Sequence, residues 1–376
     1  MLIRKPAMGW NTWNTFARDI NEELIREIAD FMVNEGYLEA GYDTLVIDDN
    51  WQEDERVNGR LVPDKKRFPN GIKPVADYVH SKGLKFGLYS AAGVRTCCNK
   101  PGSFGYEYVD AQDFADWGVD YLKYDLCHFP GSGDRKSAYL TMSMALKATG
   151  RDIEYSGAIC GEADPGEWMR SVGAHNYRMS GDINDSFGSI RFISQKRMNE
   201  PDFTAPGCYA DMDMLVVGMN GEGYAAKGGC TYDEYFLHFA LWCFYASPLM
   251  IGCDIRKISP EHKKILFNKD LIAINQDEEC CAPYKEKQSR YANIFKDKFT
   301  IAKQLSGNKI AFGFFNFADS KLTQTSYMTD FGIPSYANKK LRFINVQTNE
   351  SFTVTDAHSV ELAPHSCVVY IAEFAN

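Results

Sequence analysis

Short apolar runs alternate with amphipathic stretches along the first three-quarters of the chain. The runs are rich in aliphatic and aromatic residues and have the length of buried strands. They cover residues 7–13, 44–49, 85–90, 121–125, 153–158, 176–181, 207–215 and 248–254. Between them, apolar residues recur at helical spacing. Residues 21–36 are one example, with Asn21 placed to cap the N-terminus of a helix and Gly36 placed beyond its C-terminus.

Eight strand-then-helix units favour a parallel sheet with right-handed crossovers. Eight such units are typical of a closed (β/α)8 TIM barrel of the α/β class. A doubly wound open sheet is the alternative, but no glycine-rich phosphate-binding fingerprint follows the first strand. We therefore expect a barrel, and we assign residues 1–280 to it.

The pattern changes after about residue 280. Apolar and polar residues now alternate with a period of two, around Gly-Asn and Asp-Ser turns. Turn signals every 8–12 residues or so are typical of antiparallel sandwiches. We therefore predict that residues 281–376 form a C-terminal antiparallel β-sandwich domain.

Composition narrows the class of partner. The 376 residues are 45% hydrophobic and 24% charged, as in ordinary soluble proteins. The net charge is −9 and no basic cluster is present, which argues against nucleic acid or an anionic membrane as the partner. We see no secretion signal at the N-terminus and no apolar run of about 18 residues, so we expect a cytoplasmic protein.

The cysteines and histidines indicate no metal site. The 11 cysteines are odd in number and scattered, which suits free thiols in a reducing compartment. Neither a CxxC pair nor an HExxH motif occurs.

Charged and aromatic residues collect at the C-terminal ends of the predicted strands, where barrel enzymes carry their active sites. In chain order these residues are Trp13, Asp48, Asp49, Tyr89, Lys123, Asp125, Arg178, Asp182 and Asp213. Apart from Glu154 in the fifth run, the starts of the same strands lack acids. This polarity predicts an active site rather than a scatter of surface charges.

Each acid also has a structural interpretation. An Asp after a strand often caps the next helix. A helix cap needs only one of the adjacent residues Asp48 and Asp49. A Mg²⁺ or Ca²⁺ site would need further oxygen ligands, but basic residues lie among the candidate acids along the chain. Lys123 and Asp125, two apart on a strand, point to the same side. They form either a structural ion pair or a site in which the lysine keeps a nucleophilic carboxylate ionised.

Two carboxyl groups are the minimum for glycoside hydrolysis, one ionised as the nucleophile and one protonated as the general acid. Asp125, with Lys123 beside it, suits the first role. Asp182 suits the second if its pocket raises its pKa.

Several long motifs in the chain resemble those of a known enzyme family. They include "MGWNTWN" from Met8, "IDDNW" from Ile47, "YLKYDLC" from Tyr121, "HNYRMSGDIND" from His175 and "SPLMIGCDIRKISP" from Ser247. Together they resemble the α-galactosidases and α-N-acetylgalactosaminidases of glycoside hydrolase family 27. The resemblance runs in family order across nearly the whole barrel.

The resemblance implies a retaining exo-glycosidase that releases terminal α-galactose and needs no cofactor. It implies that Asp125 is the nucleophile and Asp182 the general acid/base. It also implies a set of substrate-binding residues: Trp13, Asp48, Asp49, Tyr89, Lys123, Arg178 and Asp213. Cys97 and Cys127 fall where the family often has a disulfide, a pair that stays reduced in a reducing compartment.

The segment after the fifth strand departs from the family, which has a Trp near Cys160. Small residues such as Gly157 and Ala158 would leave room for a 2-acetamido group, whereas Glu167 or Trp168 would fill the same space. α-N-Acetylgalactosaminidase and β-L-arabinopyranosidase therefore stay as alternatives, as do a transglycosidase and a non-catalytic carbohydrate-binding protein. The expected partner is an oligosaccharide with terminal α-galactose, and self-association into a homo-oligomer is left open.

Overall fold

The computed structural model describes residues 4–285 and 297–375. Its first part is a single sheet of eight parallel strands, as predicted. The strands are β1 (Met8–Asn11), β2 (Thr44–Ile47), β3 (Lys85–Ala91), β4 (Tyr121–Asp125), β5 (Glu154–Ala158), β6 (Asn176–Arg178), β7 (Tyr209–Asp211) and β8 (Leu249–Ile251). Their spatial order is β7-β6-β5-β4-β3-β2-β1-β8. A parallel bridge between Leu215 and Ile251 closes the ring, so the TIM barrel is confirmed.

Helices cover the outside of this barrel. They are α1 (Trp13–Phe16), α2 (Glu22–Asn34), α3 (Ile72–Ser81), α4 (Glu107–Asp116), α5 (Arg135–Ala148), α6 (Phe187–Asn199), α7 (Tyr232–Phe244), α8 (Pro260–Leu266) and α9 (Lys269–Asn275). The predicted cap of α2 is present, because the Asn21 side chain accepts a hydrogen bond from the backbone N–H of Leu24. None of the described helices has the length and apolar character needed to cross a membrane.

One strand-then-helix unit differs from the prediction. Only a short 3₁₀ turn, Pro165–Glu167, lies between β5 and β6. Cys160, Ala163 and Asp164 all have positive φ, a conformation that interrupts a right-handed helix. The chain therefore passes from β5 to β6 through tight turns rather than through a helix.

The C-terminal part consists of antiparallel strands in two sheets, as predicted. The strands are β9 (Tyr284–Lys285), β10 (Lys298–Leu305), β11 (Lys309–Asn316), β12 (Leu322–Tyr327), β13 (Lys340–Asn345), β14 (Ser351–Val354), β15 (Ala357–Leu362) and β16 (Ser366–Ala375). One sheet has the order β14-β13-β16-β11-β10-β9, and the other pairs β12 with β15. The start of the predicted alternation, residues 292–296, lies outside the described residues.

The larger antiparallel sheet packs on the barrel through α7. Eleven of the thirteen residues of α7 are buried, and Phe244 near its end meets Phe315 of β11 with 6.0 Å between ring centroids. At the same contact, the buried Lys303 donates a hydrogen bond from Nζ to the carbonyl oxygen of Ile274. The barrel and the sheet therefore share a continuous apolar core, which includes Phe299 and Phe317.

Candidate active site

A cavity of about 350 Å³ opens at the C-terminal ends of the barrel strands, a volume within the usual range for small-molecule sites. Its lining includes all nine residues that the sequence assigned to catalysis and substrate binding. They are Trp13, Asp48, Asp49, Tyr89, Lys123, Asp125, Arg178, Asp182 and Asp213. Residues from strands far apart in sequence thus meet in one cavity, because parallel strands end on the same side of the barrel.

Asp125 ends β4 and is held by two hydrogen-bond donors. The Tyr89 hydroxyl donates to Oδ2 at 2.9 Å, and the backbone N–H of Leu126 donates to Oδ1 at 2.8 Å. Burial raises the pKa of Asp125, while the positive charge of Lys123 and these hydrogen bonds oppose that rise. Burial also raises the pKa of Tyr89 well above its ordinary value, so its hydroxyl stays protonated and able to donate. The carboxylate is thus fixed in orientation.

Lys123 bonds directly to Asp48 rather than to Asp125. Its Nζ lies 2.7 Å from Oδ2 of Asp48, which also accepts a hydrogen bond of 2.8 Å from the Asn11 side chain. Burial lowers the pKa of Lys123, but the carboxylates of Asp48 and Asp125 outweigh it and raise that pKa. Lys123 is therefore a cation that acts on Asp125 through its charge while it bonds to Asp48.

Asp49 is held in place by backbone donors. The N–H of Cys98 donates to Oδ2 and the N–H of Asn50 donates to Oδ1, both at 2.7 Å. Burial raises the pKa of this carboxyl group, and the backbone hydrogen bonds work against the rise. The next regular α-helix, α3, begins only at Ile72, so neither Asp48 nor Asp49 serves as its N-cap.

Arg178, at the end of β6, bridges two acids. Its Nη2 lies 2.7 Å from Asp182 Oδ1 and 2.6 Å from Asp213 Oδ2. Asp213 also accepts a hydrogen bond of 2.7 Å from the N–H of Ile183. Burial raises the pKa of Asp213 to about 6, although the charge of Arg178 opposes the rise.

Asp182 differs from the other acids because its side chain is 76% exposed, whereas those of Arg178 and Asp213 are 4% exposed. The role of general acid was assigned to Asp182 on the condition that a pocket encloses it, but the open cavity does not bury this carboxyl group. Its position is set instead by the ion pair with Arg178, at the mouth of the cavity.

A disulfide between Cys97 and Cys127 braces the site, at the positions that the resemblance indicated. It joins the loop after β3 to the segment after β4, and Cys97 lines the cavity. Cys97, Asp125 and Cys127 are also the one described group of three close potential metal ligands. Because the two sulfur atoms are bonded to each other, that group does not form a metal site.

The end of β5 and the loop after it contribute small side chains to the cavity wall. Ala158 and Cys160 line it. The Trp168 side chain is buried elsewhere, with its Nε1–H donating to the carbonyl oxygen of Ala163 and its ring against Tyr139. Glu167 lines a separate cavity of about 110 Å³. The suggestion that Trp168 or Glu167 fills the space beside the sugar is therefore wrong.

Sequence reasoning missed part of the rim. Tyr224, Ala225 and Lys227 also line the cavity, although they follow β7 by more than ten residues. The signal available in the sequence was the glycine-rich run "NGEGYAAKGG", an irregular segment with an aromatic residue at its centre.

Comparison with known proteins places this architecture among glycoside hydrolases. The family model described as Alpha galactosidase A matches residues 5–277. An α-galactosidase of Cyamopsis tetragonoloba is 39% identical over 372 residues, 98% of this chain and 86% of that protein. One from Coffea arabica is 41% identical over 368 residues, 97% and 93% of the two chains.

Solved structures agree with these sequence relatives. The crystal structure of α-galactosidase I from Mortierella vinacea superposes with a TM-score of 0.87 at 29% identity, covering 99% of this chain and 97% of that one. The family match spans the whole barrel and includes every acid of the cavity. The chain therefore belongs to the α-galactosidase family, glycoside hydrolase family 27.

Proposed function

We propose that this protein is a retaining exo-α-galactosidase, which hydrolyses terminal α-D-galactosyl residues by double displacement. The observation that carries the proposal is the meeting of Asp125 and Asp182 in one cavity, the first carboxylate partly buried and fixed by hydrogen bonds and the second exposed at the mouth. The full-length similarity to α-galactosidases supports the substrate class.

In the first step, an Asp125 oxygen attacks the anomeric carbon while the bond to the leaving oxygen breaks. Protonated Asp182 transfers its proton to that oxygen, and a covalent glycosyl-aspartate forms. In the second step, Asp182 takes a proton from water, which attacks the anomeric carbon and releases Asp125. Because two inversions occur at that carbon, the product keeps the α configuration.

The floor of the cavity, which Asp48, Asp49 and Lys123 form, supplies the contacts for the galactosyl group. Asp48 and Asp49 present carboxylate oxygens, and Lys123 presents an ammonium group, in the same cavity as Asp125. Sugar hydroxyls both donate and accept hydrogen bonds, so such a mixed floor can bind two adjacent hydroxyls in defined positions. We assign the 4- and 6-hydroxyls to Asp48 and Asp49, following the family resemblance. The contact to O6 favours galactose over L-arabinopyranose, which lacks that group.

α-N-Acetylgalactosaminide is the second candidate substrate. It is favoured by the small side chains of Ala158 and Cys160 on the cavity wall and by the absence of Trp168 from it. Both observations leave space beside the sugar at the loop that the family uses to contact the 2-position.

One experiment tests the reaction and its stereochemistry. Purified enzyme is mixed with 4-nitrophenyl α-galactoside, α-N-acetylgalactosaminide and β-L-arabinopyranoside, and kcat/KM is measured for each. The α-galactoside should be preferred, and proton NMR of its early products should show α-galactose before mutarotation. Early β-galactose would contradict the retaining mechanism. If the α-N-acetylgalactosaminide is turned over fastest, it replaces the α-galactoside as the assigned substrate. Turnover of none of the three would contradict the proposed hydrolase activity.

Cellular location and assembly stay predictions. A cytoplasmic protein would be expected to keep Cys97 and Cys127 as thiols, whereas the structure joins them. Thiol titration of freshly extracted protein distinguishes the two states.

A further inference from the structure

The rim segment, residues 219–230, reaches over one side of the cavity mouth. Its centre is Tyr224, whose side chain is 64% exposed although it lines the same cavity as Asp125 and Asp182. An aromatic ring this exposed gains little from burial, so its position at the mouth is not explained by packing alone.

Hydrogen bonds from two directions hold the rim segment. Asp185 accepts from the N–H of Gly221 through Oδ2 at 2.7 Å and from the N–H of Gly229 through its carbonyl oxygen at 3.0 Å. Its own N–H donates to the carbonyl oxygen of Ala225 at 2.9 Å. The segment is thus tied to the loop that carries Asp182, three residues before Asp185.

The other anchor is the stretch that carries Trp13. The N–H groups of Tyr224 and Ala225 donate to the carbonyl oxygens of Thr15 and Asn14, at 3.2 and 2.8 Å. Gly223 has a φ of +91°, and a Cβ atom there would lie 2.8 Å from the Thr15 Cα, so this approach requires glycine. The Tyr224 backbone therefore has a fixed position relative to the cavity.

The Tyr224 ring also has a fixed orientation. It meets Trp13 edge to face, with 5.4 Å between centroids and an interplanar angle of 69°. This T-shaped contact is a favoured aromatic geometry. It leaves the rest of the phenol ring exposed at the mouth.

The layout of the cavity indicates which part of a substrate reaches that ring. Asp48 and Asp49 are buried and Lys123 is partly buried, and together they form a cavity floor that suits the terminal sugar. Asp182, which protonates the leaving oxygen, lies exposed at the mouth. The leaving group must therefore extend outward past Asp182, through the mouth at which the Tyr224 ring is also exposed.

We propose that Tyr224 forms a leaving-group subsite, stacking on the apolar face of the sugar ring next to the terminal galactose. The inference rests on the proposed function and extends it, since it selects neutral oligosaccharides over galactosides that lack a second ring. Tyr224 acts by binding substrate outside the bond being broken, so its removal should not alter the galactosyl step itself.

The test compares raffinose with α-galactosyl fluoride, whose leaving group carries no ring and needs no proton. Tyr224→Ala should lower kcat/KM for raffinose about five- to tenfold, the scale of one aromatic contact. It should leave kcat/KM for the fluoride within about twofold of wild type. Tyr224→Phe keeps the ring and should restore raffinose hydrolysis. Tyr336→Ala, at a tyrosine that is 88% exposed in the C-terminal part, is the matched control.

Other outcomes would overturn the subsite. An unchanged raffinose rate for Tyr224→Ala, or equal losses on raffinose and the fluoride, would remove the leaving-group role. Failure of Tyr224→Phe to rescue would assign the effect to the hydroxyl rather than to the ring. If wild-type enzyme hydrolyses neither substrate, the proposed function itself fails, an outcome distinct from a defect confined to the variants.

Discussion

Several carboxyl groups in the cavity are ionised at the expense of stability. Burial raises the pKa of Asp125 and of Asp213 above the values of exposed carboxyl groups. A raised pKa in the folded state means that ionisation is easier in the unfolded chain. The folded state is therefore penalised at neutral pH, and the penalty disappears below the unfolded pKa of about 3.9.

Asp125→Asn should separate activity from stability. We expect turnover to fall by on the order of a thousandfold or more, because the amide cannot serve as the nucleophile. The Tm at pH 7 should be equal to or higher than that of wild type, and the difference should shrink toward pH 4. Thermal unfolding at both pH values, together with kcat on 4-nitrophenyl α-galactoside, measures this.

Asp116→Asn, at an exposed position of α4, is the matched control and should change neither property. Two results would contradict the prediction for Asp125. One is activity above a few per cent of wild type, which would remove Asp125 from the nucleophile role. The other is a lower Tm at pH 7 only, which would show that the charge of Asp125 stabilises the fold.

At the scale of elements, the sequence predicted those site residues that directly follow a strand. Asp48, Asp49 and Asp125 lie at or just after the C-terminal end of a strand. The pattern of apolar runs locates these strand ends, so it was enough to predict that the three residues lie in one site. Tyr224 could not be placed in the same way. It reaches the cavity through loop hydrogen bonds to Asn14 and Thr15, residues about 210 positions earlier that no local pattern connects to it.

The eight-unit pattern predicts a helix after β4 and another after β5, but no clear amphipathic stretch marks either one, and the structure forms only the first, α5. The buried face of α5 includes Ser143 and Ala145, small residues that give a weak apolar period. After β5, residues 160–164 take left-handed conformations at four positions, only one of them glycine. Tertiary contacts select such conformations, and they have no clear signature in residue type.

The loop after β3 links the disulfide to Asp49, the carboxylate to which we assign a sugar hydroxyl. Cys97 is joined to Cys127, and the next residue, Cys98, donates its backbone N–H to Asp49. The bridge encloses a sequence separation of 30 residues. The same covalent link should therefore affect both stability and the position of the Asp49 carboxylate.

Cys127→Ala should lower the free energy of unfolding by about 2–4 kcal/mol, because the unfolded chain regains the freedom of the opened loop. The KM for the α-galactoside should rise more than kcat falls, since we assign Asp49 to substrate binding and not to the reaction itself. Urea unfolding and steady-state kinetics measure the two effects. Cys281→Ser, a free cysteine outside the cavity, is the control. Reduced stability with unchanged KM would show that other contacts hold the Asp49 loop.

At the scale of the whole molecule, the two parts share one core. Side chains alternate along β11: Ala311 and Phe315 belong to the core of the barrel, whereas Phe312 and Phe314 pack within the antiparallel sheets. The same sheet thus forms both the outer wall of one core and the inner wall of the other. Separate unfolding of the C-terminal part would expose the apolar side of α7, which is buried nearly all round.

We therefore predict a single cooperative unfolding transition, tested by a substitution remote from the barrel. Phe343 is fully buried in the apolar cluster between the antiparallel sheets, and its ring stacks on that of Phe312 with 5.0 Å between centroids. Phe343→Ala should cost about 3–5 kcal/mol through the cavity it leaves. Although the ring lies outside the barrel core, the temperature at which α-galactosidase activity is lost should fall together with the calorimetric Tm. Tyr336→Ala should move neither, and activity that survives a separate first transition would show that the two parts unfold independently.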